Sequence, residues 1–152
     1  MQSNCMMGFF PEIGRAWLTI DSDLFVWTCN NATDLAYFNR LNETILSVTL
    51  ARHKPGIFRS HVHYLLCLAT PVEVILLGVS FSGDDFYRSE MHLIPEPLFT
   101  LTSDNTFFVC MASTPSGRIF MGSKDGCLYE FFYQASDGWF TRKCRKINHS
   151  SL

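Results

Sequence analysis

The sequence predicts an all-β protein made of antiparallel, four-stranded blades of an incomplete β-propeller, with about three blades. Three observations predict this class: a strand-forming composition, a strand–turn–strand unit repeated about every 50 residues, and inner strands that are apolar on both faces. Apolar residues make up 47% of the 152 residues and charged residues 17%, which excludes a disordered chain or a coiled coil. Fourteen Phe, five Tyr and three Trp favour β-structure.

The repeated unit is a pair of apolar segments joined by a tight turn. Trp17, Cys67 and Phe120 take equivalent positions, 50 and 53 residues apart. The three pairs are 14–20 with 24–27, 64–69 with 72–77, and 117–121 with 127–132. The connections hold only two to four residues, whereas a parallel pair needs a crossover of about a dozen. The strands are therefore predicted to pair antiparallel.

Flanking segments complete each predicted blade. Apolar runs precede the second and third pairs at 45–50 and 107–112, and more polar runs follow the three pairs at 34–38, 91–99 and 139–145. Pro95 and Pro97 suit an outer edge strand, where a missing N–H costs little. Asparagines interrupt the one segment with helical spacing, 32–41, so little helix is expected.

These segments predict a single partial propeller domain over 1–152, with blades at about 1–40, 41–100 and 101–147. Runs such as 74–79 are almost continuously apolar, although a one-sided antiparallel sheet alternates polar with apolar residues. Blades packed face to face bury both sides and explain such runs. A β-sandwich is the alternative, because it also has short antiparallel strands and frequent turns.

Three blades are too few to close a ring, since propellers usually have four to eight. An open fan exposes two blade faces, so we expect the chain to belong to a larger ring, to be a truncated relative of one, or to complete itself against a partner. The N-terminus lacks the pattern of a secretory signal, and no apolar run reaches the length of a membrane helix. The six cysteines are at least 17 residues apart, and we expect most to be reduced and buried, as in the apolar runs around Cys67 and Cys110.

Motifs of catalysis and metal binding were sought in the sequence, and none has the required spacing. The serines of 78–83 do not fit the G-x-S-x-G rule, and 122–126 lacks the end of a phosphate loop. His61 and His63 have no third ligand nearby except His53, so surface histidines are the better interpretation. We therefore predict no catalytic residues, no cofactor and no metal.

One basic cluster stands out from a balanced charge of −2. It consists of Arg142, Lys143, Arg145 and Lys146, and it is the candidate interaction cluster of the chain. It could contact phosphate, lipid headgroups or an acidic partner, whereas an exposed outer strand is the plainer interpretation.

Several long strings resemble one family. They lie at 8–23, 34–38, 65–74, 117–130 and 144–150. Together they resemble the N-terminal β-propeller of the nucleoporin-155 family, the large scaffold nucleoporins of the inner ring of the nuclear pore, truncated at both ends. In that family the propeller precedes an α-helical solenoid.

The resemblance implies a structural scaffold that supports pore assembly and nucleocytoplasmic transport, located at the nuclear pore and nuclear envelope. It implies other inner-ring nucleoporins and a pore-membrane anchor protein as partners, with possible peripheral envelope contact. Specific nucleic acid and small-molecule substrates are not expected. The alternatives are a truncated or diverged propeller paralogue acting as a protein-binding adaptor outside the pore, and an enzyme on a propeller fold, which no residue set supports.

Overall fold

Three antiparallel sheets follow one another along the chain in a computed structural model, which describes residues 3–29, 34–138 and 142–150. The first sheet has the order β1-β2-β3-β4, with strands Cys5–Phe10, Arg15–Ile20, Asp23–Thr28 and Leu35–Phe38. The second contains β5 to β9, with strands Ser47–Ala51, Tyr64–Ala69, Glu73–Phe81, Met91–Leu93 and Phe99–Thr102. The third has the order β10-β11-β12-β13, with strands Phe108–Ser113, Ile119–Ser123, Leu128–Tyr133 and Cys144–Asn148. The predicted blade architecture is confirmed.

The first strand of the first sheet, β1, was not predicted. Its side chains alternate between exposed and partly buried, and Gly8 in its middle weakens the strand signal. A single 3-10 turn, Pro11–Ile13, separates β1 from β2. Trp17 of β2 packs over Gly8, because a side chain at Gly8 would meet the indole ring at 2.6 Å. The missing side chain is therefore what allows the two strands to pack at this point.

The outer edge of the second sheet differs from the prediction. One strand over 91–99 was expected, whereas β8 and β9 are separate and both pair with the nine-residue β7. Pro95 and Pro97 lie in the link between β8 and β9, not in an edge strand, because neither can donate a backbone hydrogen bond. In the same link the N–H groups of Ile94 and Leu98 donate to β7 at 2.9 and 2.8 Å.

The fourth strand of the third sheet lies further along the chain than predicted. The prediction was 139–145, whereas β13 spans Cys144–Asn148. Trp139 and the two residues after it lie outside the described residues. The division of the chain into one partial domain with the blade limits given above stays a prediction. No helix among the described residues is long and apolar enough to span a membrane.

Two apolar layers hold the three sheets together. The layer between the first and second sheets includes Phe10, Val26 and Phe38 opposite Leu66 and Leu77. The layer between the second and third sheets is built from buried side chains of both. Its members include Leu65, Cys67, Leu76, Phe108, Ile119 and Phe131. The second sheet is therefore covered on both faces, which explains why β6 is buried at every position.

The turn at Gly14 links the fold to the first junction. Gly14 has a left-handed φ of 61°, and a side chain there would collide with the ring of Tyr87 from the second sheet. We predict that Gly14→Ala lowers the free energy of unfolding by about 1–2 kcal/mol more than Gly56→Ala. Gly56 is the matched control, because it also has positive φ, 76°, but open space around it. Urea unfolding followed by Trp fluorescence measures both; equal losses would show that the Tyr87 contact contributes nothing.

Candidate interaction site

A buried arginine joins the first sheet to the second. Arg15, at the start of β2, is completely buried, and its guanidinium lies 5.0 Å from the centroid of the Phe81 ring. Its Nη1 donates to the carbonyls of Ile13 at 3.0 Å and Phe86 at 2.7 Å. Its Nη2 donates to Asp34 at 2.5 Å and to the carbonyl of Ser89 at 2.6 Å.

The loop that receives Arg15 connects β7 to β8 and spans residues 82–90. Besides the two carbonyls, it contributes Tyr87, whose hydroxyl donates to the Pro11 carbonyl at 2.8 Å. Four acceptors for one guanidinium offset most of the cost of removing its charge from water, although Nε has no partner among the described residues. The 82–90 loop is thus fixed to the first sheet by polar contacts as well as by the apolar layer.

The second and third sheets meet along their innermost strands, β5 and β10. The Ser47 hydroxyl donates to the Phe108 carbonyl at 2.7 Å, and the Ser113 hydroxyl donates to the Leu50 carbonyl at 2.8 Å. Further out, the Tyr133 hydroxyl accepts from the N–H of Lys54 and donates to the carbonyl of Gly117. Burial raises the pKa of Tyr133 to about 12, so it remains a donor at neutral pH.

Each end of the stack presents one sheet face that no other sheet covers. We call the side of the first sheet turned away from the second the N-face, and the corresponding side of the third sheet the C-face. Strand alternation and register place eleven residues on the N-face. They are Cys5, Met7, Phe9, Ala16, Leu18, Ile20, Asp23, Phe25, Trp27, Leu35 and Tyr37. Only Asp23 is charged, and Met7, Phe9 and Leu35 are 71%, 52% and 56% exposed.

The C-face is polar at its centre. Its residues are Cys110, Ala112, Arg118, Phe120, Gly122, Leu128, Glu130, Phe132, Arg145 and Ile147. Arg118 donates to the nearly buried Glu130 through Nε at 3.1 Å and Nη2 at 2.7 Å. His149 Nε2 lies 2.9 Å from the same carboxylate.

Cations and aromatic rings surround that carboxylate. Lys54 Nζ and the Arg145 guanidinium lie 4.3 and 4.7 Å from the centroid of the Phe132 ring, and Arg118 lies 4.7 Å from that of Phe120. The hydrogen bonds from Arg118 lower the pKa of Glu130, and the same pairing raises the pKa of Arg118. Burial lowers the pKa of Lys54. Three cations around one carboxylate make the C-face electropositive, suited to carbonyl or carboxylate groups of a protein partner.

The four residues of the predicted basic cluster lie in different environments. Lys146 faces the second sheet and pairs with Asp104 at 2.6 Å, whereas Arg145 lies on the C-face. Lys143 lies 5.8 Å from the centroid of the Phe99 ring, and its N–H donates to Asp137. Arg142 is exposed. The sequence analysis missed Arg118, Glu130 and Lys54; the Gly-Arg dipeptide shared by 14–15 and 117–118 was the signal that could have revealed Arg118.

Sulfur and histidine chemistry is limited in the described part of the chain. All six cysteines are free, but the expectation of burial is wrong for Cys110, which is exposed because it lies on the uncovered C-face. Burial raises the pKa of the Cys67 thiol. His63 Nδ1 accepts the N–H of Phe81 at 3.0 Å, so it is used within the second sheet. No group of three metal-ligating side chains occurs among the described residues.

The sheets and their charged contact faces define a β-propeller segment of the kind used in protein assembly. Residues 1–152 match the profile of the family described as Nucleoporin_N, Nup133 N terminal like, and the chain belongs to that family.

Individual relatives agree with this assignment. The chain is 51% identical over 150 residues to the nuclear pore complex protein Nup154 of Drosophila melanogaster, covering 99% of this chain and 11% of that protein. It is 38% identical over 148 residues to nucleoporin NUP170 of Chaetomium thermophilum, covering 95% of this chain and 10% of that protein. The chain therefore spans about a tenth of the length of these relatives.

A solved structure of a relative has the same fold. The crystal structure of the Chaetomium thermophilum Nup170 NTD–Nup53 complex superposes with a TM-score of 0.86 at 34% identity, over 98% of this chain and 22% of that chain. The prediction of a nucleoporin propeller region is confirmed.

The first junction should depend on the forked shape of the Arg15 side chain. A lysine keeps the charge but cannot present the planar fork to four acceptors, so Arg15→Lys should cost about 2–4 kcal/mol of unfolding free energy. Arg88→Lys is the matched control, because Arg88 belongs to the same loop system and its side chain is 89% exposed. Urea unfolding measures both variants, and losses of the same size would contradict the proposed importance of the fork.

The carboxylate of Glu130 should make stability depend on acid pH. Because its pKa is lowered in the folded chain, its ionised form stabilises the fold above the ordinary value of 4.5, and this contribution is lost as pH falls through the folded value. Glu130→Gln should therefore cost about 1–2 kcal/mol at pH 7 and progressively less below pH 4.5. Urea midpoints of both proteins across this range provide the test. A difference that does not change with pH would rule out an electrostatic origin.

Proposed function

We propose that this chain is the blade-bearing part of a scaffold nucleoporin of the nuclear pore inner ring and that it acts through protein–protein contacts. The observation that carries the proposal is the match of all 152 residues to a nucleoporin family. Because the chain spans about a tenth of its curated relatives, their role is carried over as a proposal. In this role the chain supports pore assembly and nucleocytoplasmic transport at the nuclear envelope.

The chemistry of the described residues supports a binding role and not catalysis. The charged side chains with the most contacts, Arg15 and Glu130, are saturated by groups of the chain itself. A cavity of about 440 Å³ beside the 52–63 loop has Arg52, His53 and His63 among its lining residues, which include no carboxylate. The role we propose is structural, without cofactor or small-molecule substrate and without specific nucleic-acid binding.

Nucleoporins are the partners that we propose. The solved relative is a complex with Nup53, so a Nup53-type nucleoporin is the first partner to test. Other inner-ring nucleoporins and a pore-membrane anchor protein complete the set, with peripheral contact to the nuclear envelope. The exposed Arg142 and Lys143 at the entry to β13 are the members of the basic cluster best placed to contact an acidic partner.

Affinity purification of the tagged chain from its own cells, with mass spectrometry and imaging, tests this function. We expect recovery of a Nup53-type and other inner-ring nucleoporins, and location at the nuclear rim. The double variant Arg142→Glu/Lys143→Glu should recover less of the partner that the basic pair contacts, because the local charge is reversed. Arg88→Glu, at another exposed arginine, is the control and should behave like the parent.

The other outcomes are equally informative. Recovery of chaperones alone would contradict a pore function for this chain. A diffuse distribution with partners that are not nucleoporins would favour the adaptor outside the pore. Unchanged recovery by the double variant would remove Arg142 and Lys143 from the interface while leaving the pore role intact.

A further inference from the structure

The two open faces of the chain are opposite sides of equivalent sheets. Arg15 and Trp17 point from the first sheet towards the second, and Arg118 and Phe120, at equivalent positions, point from the third sheet into the C-face. Conversely, Met121 of the third sheet points towards the second, and its equivalent Leu18 lies on the N-face. A C-face packed on an N-face would therefore repeat the orientation of the two junctions inside the chain.

We propose that two copies of this 152-residue chain associate head to tail, with the C-face of each copy covering the N-face of the other. Each copy contributes three sheets, so the pair forms a closed ring of six blades, within the usual range of four to eight. The two contacts are identical and related by a twofold axis, which closes the assembly. The proposal is independent of the pore role, since it rests only on the faces of the sheets.

Arg118 is the side chain that makes the C-face resemble an unfilled copy of the first junction. Both arginines follow a glycine of positive φ, Gly14 at 61° and Gly117 at 92°. Arg15 is covered by the 82–90 loop of the following sheet, and its side chain is 1% exposed. Arg118 uses two nitrogens on Glu130, stacks on Phe120, and is 47% exposed. A following sheet would bring loop carbonyls to the free side of this guanidinium.

The composition of the two faces favours this pairing over its alternatives. The N-face exposes Met7, Phe9 and Leu35 together, an apolar surface that monomeric proteins rarely leave open. Its single charge is that of Asp23. The C-face and its rim carry Arg118, Arg145 and Lys54 around Glu130, so two C-faces would repel each other, whereas a C-face against an N-face brings opposite charges together.

The second junction predicts which residues meet. Ser47 and Ser113 hold β5 and β10 side by side at the inner edge of that junction. By the same arrangement, β10 of one copy lies beside β1 of the other. Cys110 on the C-face and Cys5 on the N-face are both exposed and lie on these two strands. A short bifunctional maleimide should therefore link Cys5 of one copy to Cys110 of the other.

The experiment measures mass and linkage on the full chain. Sedimentation equilibrium over about 1–100 µM should give twice the 17.4 kDa chain mass, and peptide mass spectrometry should find the Cys5–Cys110 link between copies. Cys29→Ser and Cys127→Ser remove competing thiols. A monomer throughout this range overturns the proposal. A dimer linked only through Cys5 and Cys5 also overturns it, because that product would show two N-faces in contact.

Charge substitutions on the two faces provide the second arm. Met7→Lys on the N-face, Leu128→Lys on the C-face and Arg118→Ala should each weaken the dimer by about tenfold or more. Val72→Lys is the matched control, because Val72 is 54% exposed in the turn between β6 and β7, on neither open face. Equal dissociation constants for all four variants would contradict the proposed interface, and circular dichroism spectra verify that each variant remains folded.

Discussion

A charged group buried between two sheets organises the first half of this molecule. The Arg15 guanidinium is stable there only because Asp34 and three backbone carbonyls surround it, two of them from the 82–90 loop. Removing such a group from water costs several kcal/mol unless every direction of its fork finds an acceptor. The contact therefore requires one relative placement of the two sheets, whereas the apolar layer beneath it would tolerate small shifts. Specificity comes from the polar contact, and cohesion from the apolar layer.

Burial on two sides explains the different characters of the three sheets. The second sheet lies between two apolar layers, and β6 has no exposed residue. The first and third sheets each have one covered and one open side. The open sides differ: one is almost wholly apolar, while the other places a carboxylate among three cations and two aromatic rings. A nucleoporin scaffold built from such units can distinguish its neighbours by the face that each presents.

Much of this arrangement was predictable from the sequence, and the failures have physical causes. The strand pairs at 14–27, 64–77 and 117–132 were found because tight turns and apolar runs are local signals. The basic run at 142–146 was treated as one cluster, although side chains alternate along a strand and β13 sends Arg145 and Lys146 to opposite faces. Cys110 was expected to be buried because its run is apolar, but apolarity cannot show that a face lacks a covering sheet.

The sequence by itself determined the unit: an antiparallel strand pair, its turn, and its repetition at a near-constant spacing. These features follow from interactions between residues close together in the chain, which composition and pattern record directly. Only the tertiary structure decided the fate of two similar dipeptides, Gly14-Arg15 and Gly117-Arg118. One arginine is sealed by four acceptors and the other is half exposed, because a following sheet covers the first and none covers the second. Burial is a property of neighbours distant in sequence, and no local pattern contains it.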